Sequence, residues 1–432
     1  APLLRLDLDG SSLALGWLLT VPVVGILLIG LVILLRACII HCFPSKQYGI
    51  FLCHHKAGAG CLSRLIKLLI ARHCKTCVFL DCDHLENLDL LFNIVRTATN
   101  NLVVVLTPEV LKRVWCAGEI TTAWKNKITT IPLVCEGFRT LTEEEQKMLP
   151  SLWTSQQRQL LANYGVHLQD MDSAYTWLQH ELVASKIPRS GDVWQREQAV
   201  KEIISRCGLN RRTVNIRCSN LVLMRSRILI TSSLADPEWL SCCEVFQMML
   251  QAHLRTECAV VHTSSQMTSW KPWAYYLVVL LFSGTFQDPG FARILLTSIS
   301  APGRDLEVVT VLADTHFNFP NEVSKEPGDE DGEKVKDLER EQLSQAYRGL
   351  LKVLALPFSP LASEGLQQQQ VVEVAKRIRR YQDAAHAATQ DEADDATVAA
   401  DLAEARPTAP IHTKFLELMP TDGPTKLTKL SL

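Results

Sequence analysis

The sequence predicts an α/β protein with two doubly wound parallel sheets. Four short apolar runs alternate with amphipathic helical segments in the first 140 residues, and a similar alternation begins again near residue 225. Parallel strands joined by right-handed helical crossovers are the arrangement that such an order allows. A chain of 432 residues, 47% of them hydrophobic, is long enough to bury two such cores.

The charge of the chain argues against one class of partner. It carries 44 Lys and Arg residues against 46 Asp and Glu residues, a formal net charge of −2. Proteins that bind nucleic acid concentrate positive charge, and this composition does not. We therefore expect no nucleic-acid partner.

The N-terminal part contains an uncharged apolar run at residues 13–35, in which Thr20 is the one polar side chain. About twenty apolar residues cross a bilayer as a helix. A signal peptide is the alternative, but the run is longer than a usual signal core and no small-residue cleavage pattern follows it. We expect a flank at 1–12, a single-pass transmembrane helix at 13–35, and a cytoplasmic remainder, because Arg36 and Lys46 follow the run.

Residues 46–140 are predicted to form the first α/β unit. The expected strands are 48–53, 77–80, 102–106 and 130–135, and the expected helices are 62–70, part of 81–98, and 108–125. Each strand is an apolar run of the length that fully buried parallel strands show. Residues 141–215 are predicted to be a helical extension and a polar linker.

Residues 225–320 are predicted to form the second α/β unit. The expected strands are 227–231, 257–262, 276–282 and 306–313, separated by helices such as 237–254 and 291–299. The run LVVLL at 277–281 takes the place in this order that LVVVL at 102–106 takes in the first unit. This predicts an internal repeat. Two unrelated α/β units are the alternative.

The C-terminal part divides into two segments. Residues 321–381 are charge-dense with some helical periodicity, so we expect a charged linker and helices. Residues 382–432 are rich in Ala, Asp, Thr and Pro, with few large apolar groups. Such a segment buries too little surface to offset its ordering entropy, which predicts a disordered tail.

The 14 cysteines are scattered, which predicts free and mostly buried thiols. Cys74 and Cys77 form a lone CxxC pair, and Cys53 is followed by two histidines. A structural metal site requires four convergent ligands, which these spacings do not provide. No metal site is expected.

Several motifs give the first unit a family resemblance. They are FLCHHKAGAG at 51–60, VFLD at 78–81, LVVVLTPEVLKR at 102–113, WCAGEI at 115–120 and TIPLVCEGF at 130–138. In this order the segment resembles a TIR domain, the signalling module of innate-immune receptors and of NAD-cleaving proteins. The resemblance implies a flavodoxin-like fold and association with other TIR domains, including homo-oligomers.

The resemblance also implies a catalytic residue. Glu119 matches the glutamate with which some TIR domains cleave NAD+ to nicotinamide and ADP-ribose products, and Trp115 lies four residues earlier on the same helix face. A carboxylate can stabilise the oxocarbenium-like sugar of that reaction. Alternatively, Glu119 is a solvated or helix-pairing carboxylate and Trp115 packs the helix on the sheet, since adaptor TIR domains share the pattern.

An NAD+-binding role is expected for the loop after the first strand. Its candidates are His55, Lys56, Ala57 and Gly58, since small residues and a cation beside a helix start can receive phosphates, and Asp81 and Trp115 complete the set. NAD+ would be a substrate, and no cofactor is expected. A structural turn explains the glycines equally well, because no Rossmann or P-loop fingerprint is present.

Two features depart from the family. The loop at 82–89, which in TIR domains contacts neighbours and gates the NAD cleft, has neither Gly nor Pro. Superposing the two units puts Gly290 in the place of Trp115 and Ile294 in that of Glu119, so the second unit is expected to be a degenerate TIR-like unit.

Two functions follow. The chain is expected to be a membrane-anchored TIR-domain signalling protein that acts through TIR–TIR association and can act as an NAD+ nucleosidase. The alternative is a non-enzymatic TIR adaptor or scaffold.

Overall fold

A computed structural model describes residues 21–36, 46–84, 90–190, 193–210, 226–317 and 337–393. Contacts divide the chain into residues 1–378 and residues 379–432, and both sheets lie in the former. We call residues 46–210 the first lobe and residues 226–378 the second lobe.

The first lobe consists of five strands and the helices between them. The strands are β1 (Tyr48–Cys53), β2 (Val78–Phe79), β3 (Thr99–Leu106), β4 (Thr129–Val134) and β5 (Ser185–Lys186). Helix α1 (21–36) precedes this lobe. The α-helices of the lobe are α2 (Lys56–His73), α3 (Asp81–His84), α4 (Leu91–Asn93), α5 (Val114–Lys125), α6 (Glu143–Met148), α7 (Ser155–Asn163), α8 (Leu168–Thr176) and α9 (Val193–Arg206). Short 3₁₀ and π segments lie at Ile94–Ala98, Val110–Lys112, Leu149–Leu152 and Trp177–Glu181.

The second lobe repeats this plan. Its strands are β6 (Ile228–Thr231), β7 (Cys258–Val260), β8 (Tyr276–Leu281), β9 (Glu307–Leu312) and β10 (Leu356–Pro357). Its α-helices are α10 (Pro237–Leu254), α11 (Ser264–Trp270), α12 (Pro289–Ser300), α13 (Asp337–Lys352) and the part of α14 (Glu364–Ala393) up to residue 378, with 3₁₀ turns at Lys271–Trp273 and Thr285–Gln287.

Both sheets have the same topology. The first has the order β2-β1-β3-β4-β5 and the second the order β10-β9-β8-β6-β7, and every neighbouring pair is parallel. Numbered within each lobe, both orders are 2-1-3-4-5, which is the flavodoxin-like arrangement. The predicted doubly wound α/β class is confirmed, and β3 and β8 are the third strands of their sheets, as the repeat predicts.

The fifth strand of each sheet was not predicted. Strand β5 comes from the segment expected to be a helical extension and linker, and β10 from the one expected to be a charged linker. Each of these strands has two residues, and of their four residues only Ser185 is buried, whereas the equally short β2 consists of two buried apolar residues that the sequence pattern can identify.

The lobes pack through equivalent helices. Each of α2 and α10 follows the first strand of its lobe, and the amide of Cys61 on α2 donates to the carboxylate of Glu238 on α10 at 2.8 Å. Arg189 pairs with the same carboxylate at 3.0 Å. Arg196 on α9, 1% exposed, pairs with Glu244 on α10.

The predicted membrane span is only partly described. Residues 1–20 lie outside the described residues, and 21–36 form α1, whose apolar side chains are exposed. Among the described helices, none combines the length and the apolarity needed to cross a bilayer.

Helix α14 continues to Ala393, beyond residue 382, where the disordered tail was expected to begin. Residues 394–432 lie outside the described part of the chain.

Candidate functional site

The candidate site lies at the carboxyl edge of the first sheet. Strand β1 ends at Cys53, which is paired in register with Val104 of β3. In an open sheet of order 2-1-3-4-5, ligands bind beyond the carboxyl ends of the strands, where β1 and β3 diverge. Helix α5 follows β3 and carries Glu119 to this edge.

Helix α5 directs its polar groups inward. Its buried residues include Cys116 and Glu119, three apart and therefore neighbours on one helix face. Glu119 is 7% exposed. Trp115 is half-buried, and its ring centroid lies 5.6 Å from that of Phe92. The contact is with α4, and Trp115 also packs against the core of the first lobe, which agrees in part with the alternative in which it packs the helix on the sheet.

Two thiols surround the Glu119 carboxyl group. The sulfur atoms of Cys53 and Cys116 and a carboxyl oxygen of Glu119 all lie within 4.8 Å of one another, and all three residues are buried. The thiol of Cys116 donates to the carbonyl oxygen of His54 at 3.3 Å. The Oε2 atom of Glu119 is buried and has no hydrogen-bond partner in the described structure.

Burial controls the protonation of this cluster. It raises the pKa of Glu119 to about 8, against the opposing hydrogen bond from Cys53 and with a smaller contribution from the charge of Asp81. The pKa of Cys53 is raised well above its ordinary value, chiefly by burial. At neutral pH Glu119 is therefore mostly protonated and neutral.

In the loop after β1, the two histidines pack against the protein, whereas the two residues that follow them are exposed. The side chain of His54 is buried, with Nε2 at 3.8 Å from a carboxylate oxygen of Asp81, and burial lowers its pKa. The buried Nδ1 atom of His55 has no hydrogen-bond partner among the described residues, and burial lowers the pKa of this histidine as well. Lys56 and Ala57 are exposed at the start of α2.

The glycine of this loop has structural partners. The amide of Gly58 donates to the carbonyl oxygen of His55 at 3.0 Å, and its own carbonyl oxygen accepts from Arg189 at 2.8 Å. These bonds agree with the alternative of a structural turn.

The segment after β2 is held by ion pairs. Asp83 in α3 accepts from Arg64 at 2.6 Å and from Lys67 at 2.6 Å, and both cations also pair with Glu364 at the start of α14. Burial alone would raise the pKa of Asp83, but the hydrogen bonds and charges of Arg64 and Lys67 hold it at about 2. Residues 85–89 of the predicted gating loop lie outside the described residues.

The second lobe has no carboxylate in the place of Glu119. Ile294 occupies that place on α12 and is 2% exposed, and Gly290 lies in the first turn, where its amide donates to Asp288 at 2.8 Å. The core of α12 is apolar where α5 carries Cys116 and Glu119.

The structure brings some predicted residues together and adds others. Glu119 lies within electrostatic reach of Asp81, whereas Lys56 is exposed. The contact of Cys53 with Cys116 was not predicted from the sequence. The available signal was the i, i+3 spacing of Cys116 and Glu119 on a predicted helix, since such residues share a face.

Comparisons with known proteins give low similarities. No protein-family model and no curated protein matches the chain. The TIR domains of the activated Roq1 resistosome, which directly recognises the pathogen effector XopQ, are 14% identical with a TM-score of 0.27, covering 37% of this chain and 98% of theirs.

Two bacterial structures also align over longer stretches. A protein described as sugar-binding, from Salmonella typhimurium, is 11% identical with a TM-score of 0.20, covering 74% of this chain and 92% of its own. A protein described as a phosphosugar isomerase, from Bacillus subtilis, is 10% identical with a TM-score of 0.20, covering 77% and 90%. These values identify neither a family nor a function.

Proposed function

We propose that this protein is a TIR-like signalling scaffold that acts by associating with other TIR-like domains. The observation that carries the choice of scaffold over enzyme is the burial of Glu119, which is 7% exposed. A carboxylate that stabilises an oxocarbenium-like sugar has to be ionised and in contact with that sugar. Glu119 has a pKa of about 8 and lies against two thiols instead.

The second lobe supports the same proposal. It keeps the strand order of the first lobe but has Ile294 in the place of Glu119. A fold that is repeated without the carboxyl group serves binding better than it serves hydrolysis. The first lobe carries motifs that resemble those of TIR domains, in the family order. This resemblance supports other TIR-like domains, including further copies of this chain, as the partners.

NAD+ cleavage is the second candidate function, and one observation favours it. Glu119 lies beside Cys53 at the carboxyl end of β1, the edge of the sheet at which doubly wound folds bind their ligands. NAD+ would be bound as a substrate. Its cleavage would require α5 or the loop after β1 to move, so that Glu119 becomes exposed and ionised.

The two functions are separated by one assay. The full chain is displayed on lipid vesicles at increasing surface density and incubated with NAD+, and nicotinamide is followed by chromatography. The scaffold proposal expects no release at any density. Release that is lost in Glu119→Gln but kept in Glu109→Gln, a matched change at an exposed glutamate, would contradict it and support the enzyme.

Association is tested on the same vesicles. Two populations of the full chain carry donor and acceptor fluorophores, and energy transfer is measured against surface density. We expect transfer that rises with density and is competed by unlabelled chain. Transfer no greater than that of an unrelated tethered protein would contradict the association part of the proposal.

We also propose that residues 13–35 attach the protein to a membrane, with both lobes in the cytoplasm. The support is the apolar run itself and the exposure of its side chains along 21–36. Deleting 13–35 should move the protein from the membrane pellet to the supernatant, whereas deleting 394–432 should not. Continued pelleting of the first deletion would contradict the anchor.

A further inference from the structure

We propose that Cys53, Cys116 and Glu119 form a binding site for a soft divalent cation, for which Zn²⁺ is the best fit. This inference is independent of the proposed signalling function. The three residues come from two different elements, the end of β1 and the middle of α5, and their ligand atoms meet within 4.8 Å of one another. The combination of Cys53 with Cys116 and Glu119 differs from the spacings that gave no metal site in the sequence, which were the Cys74–Cys77 pair and Cys53 with its two histidines.

The distances suit a tetrahedral cation. Zinc bonds of about 2.3 Å to sulfur and about 2.1 Å to oxygen place the ligand atoms of a tetrahedral site roughly 3.6 to 3.8 Å apart. The separations of up to 4.8 Å in the cluster therefore need to shorten by about 1 Å at most. Binding would have to draw the three side chains together by this amount, and for Cys116 it would compete with the bond to the carbonyl oxygen of His54.

The donor set selects the cation. Two sulfur atoms and one carboxyl oxygen suit Zn²⁺, whereas Ca²⁺ and Mg²⁺ require six or more oxygen ligands. Cys116 and Glu119 are three residues apart on α5, a spacing that directs both side chains to the same place. A fourth ligand, water, would complete the tetrahedron.

A second and independent observation points to a ligand at this position. The Oε2 atom of Glu119 is buried without a hydrogen-bond partner among the described residues. Buried polar oxygens in proteins are almost always paired. A cation between Cys53, Cys116 and Glu119 would satisfy this oxygen, which the thiols and the surrounding core do not.

The alternative is a cluster of protonated side chains joined by hydrogen bonds. It accounts for the bond from Cys116 to the carbonyl oxygen of His54, but within the described part of the chain it leaves Oε2 of Glu119 without a partner. Binding of Zn²⁺ would release two thiol protons and one carboxyl proton to the solvent. The neutral cluster would then become a cation site with one net negative charge.

The experiment uses the full chain purified under reducing conditions. After treatment with a chelator and its removal, the protein is titrated with Co²⁺, whose absorption reports thiolate ligands and tetrahedral geometry, and then with Zn²⁺ in competition. Metal content is measured by mass spectrometry. We expect one cation per chain at this site, thiolate-to-cobalt absorption, and displacement of Co²⁺ by Zn²⁺.

Variants assign the site. Cys53→Ala and Cys116→Ala are expected to weaken Co²⁺ binding by more than about 100-fold, since loss of a ligand exceeds the 10- to 100-fold effect of losing an outer partner. Glu119→Gln keeps the thiols and the shape and should change the spectrum. Cys135→Ala, at another buried thiol of the first lobe, should bind like the wild type.

Two results would overturn the proposal. The first is a wild-type protein that shows no thiolate-to-cobalt absorption with excess Co²⁺, a result that does not depend on any variant folding. The second is absorption that persists at wild-type Co²⁺ affinity in both Cys53→Ala and Cys116→Ala, which would assign the cation to other thiols; loss in Cys77→Ala would then identify Cys77 as one of them.

Discussion

Replacing Glu119 by Gln should stabilise the metal-free protein, because the wild-type carboxyl group is buried. The folded pKa is about 8, whereas the ordinary value is 4.5. Between these two values the folded protein keeps a proton that the unfolded chain releases. The free energy of unfolding therefore falls by about 1.4 kcal/mol for each pH unit in this window.

The size of the effect follows from the window. At pH 7, which is 2.5 units above 4.5, the penalty carried by Glu119 amounts to about 3 kcal/mol. Glutamine has nearly the same shape and no charge to bury, so Glu119→Gln should raise the free energy of unfolding by up to that amount. Well below pH 4.5 both side chains are neutral in both states, so the difference should shrink toward zero as the pH falls through this value.

The assay is urea unfolding at several pH values between 4 and 8, followed by tryptophan fluorescence in the presence of a chelator. Glu109→Gln, at an exposed glutamate, is the control and should differ little from the wild type at any pH. A Glu119→Gln protein that is less stable than the wild type at pH 7, or a difference that does not change with pH, would refute the argument from burial.

The remaining predictions concern charge pairs and packing. Asp83→Asn should destabilise the protein by about 3 kcal/mol, because it leaves the buried Arg64 without its closest carboxylate. The stability that Asp83 contributes is present above its ordinary pKa of 3.8 and is lost as the pH falls toward about 2, so the variant should show a weaker loss of helical circular dichroism in acid. Glu244→Gln should cost about 3 to 5 kcal/mol in chemical unfolding, since its arginine partner is buried as well; an unchanged urea midpoint would contradict this. Gly118→Ala should lower the melting temperature by an amount that corresponds to about 1 to 3 kcal/mol, because a Cβ atom at this position would lie 2.2 Å from Cζ of Phe92, and an unchanged melting temperature would count against this packing.

The central strands could be predicted from the sequence because they are long enough to be recognised. Strands β1, β3 and β8 are runs of six or more residues, and nearly all their side chains are buried. Both faces of a parallel sheet are covered by helices, so its strands read as continuous apolar runs. The two-residue strands β5 and β10 carry no such signal, and only the completed sheet defines them.

The sequence predicted which residue types form the candidate site, but it did not predict how deeply Glu119 is buried or which side chains surround it. The motif around Glu119 identified a carboxyl group on a helix. Its depth depends on how closely α5 approaches β1, and its meeting with Cys53 joins residues 66 positions apart. Local periodicity carries no information on such contacts, which is why an exposed carboxylate and a buried, neutral one looked alike.

In the segment predicted as a polar linker, charged residues are buried against the second lobe. Arg189 and Arg196 fall in the predicted helical extension and polar linker, yet Arg196 is 1% exposed and both arginines pair with glutamates of α10. Charge density predicts exposure only where no partner of opposite charge is available. Here the partner lies in the other lobe, 48 or 49 positions away in the sequence.

These buried ion pairs also bear on how the protein would associate with others. A buried pair adds little net stability, but separating it leaves charges without partners, so it strongly selects the surface that completes it. On the α2 face of the first lobe, the amide of Cys61 donates to Glu238. On the same face, Arg64 and Lys67 pair with Glu364. An external domain could replace the second lobe only by supplying carboxylates at the same places. Association with other TIR-like domains should therefore use surfaces outside the contact between α2 and α10.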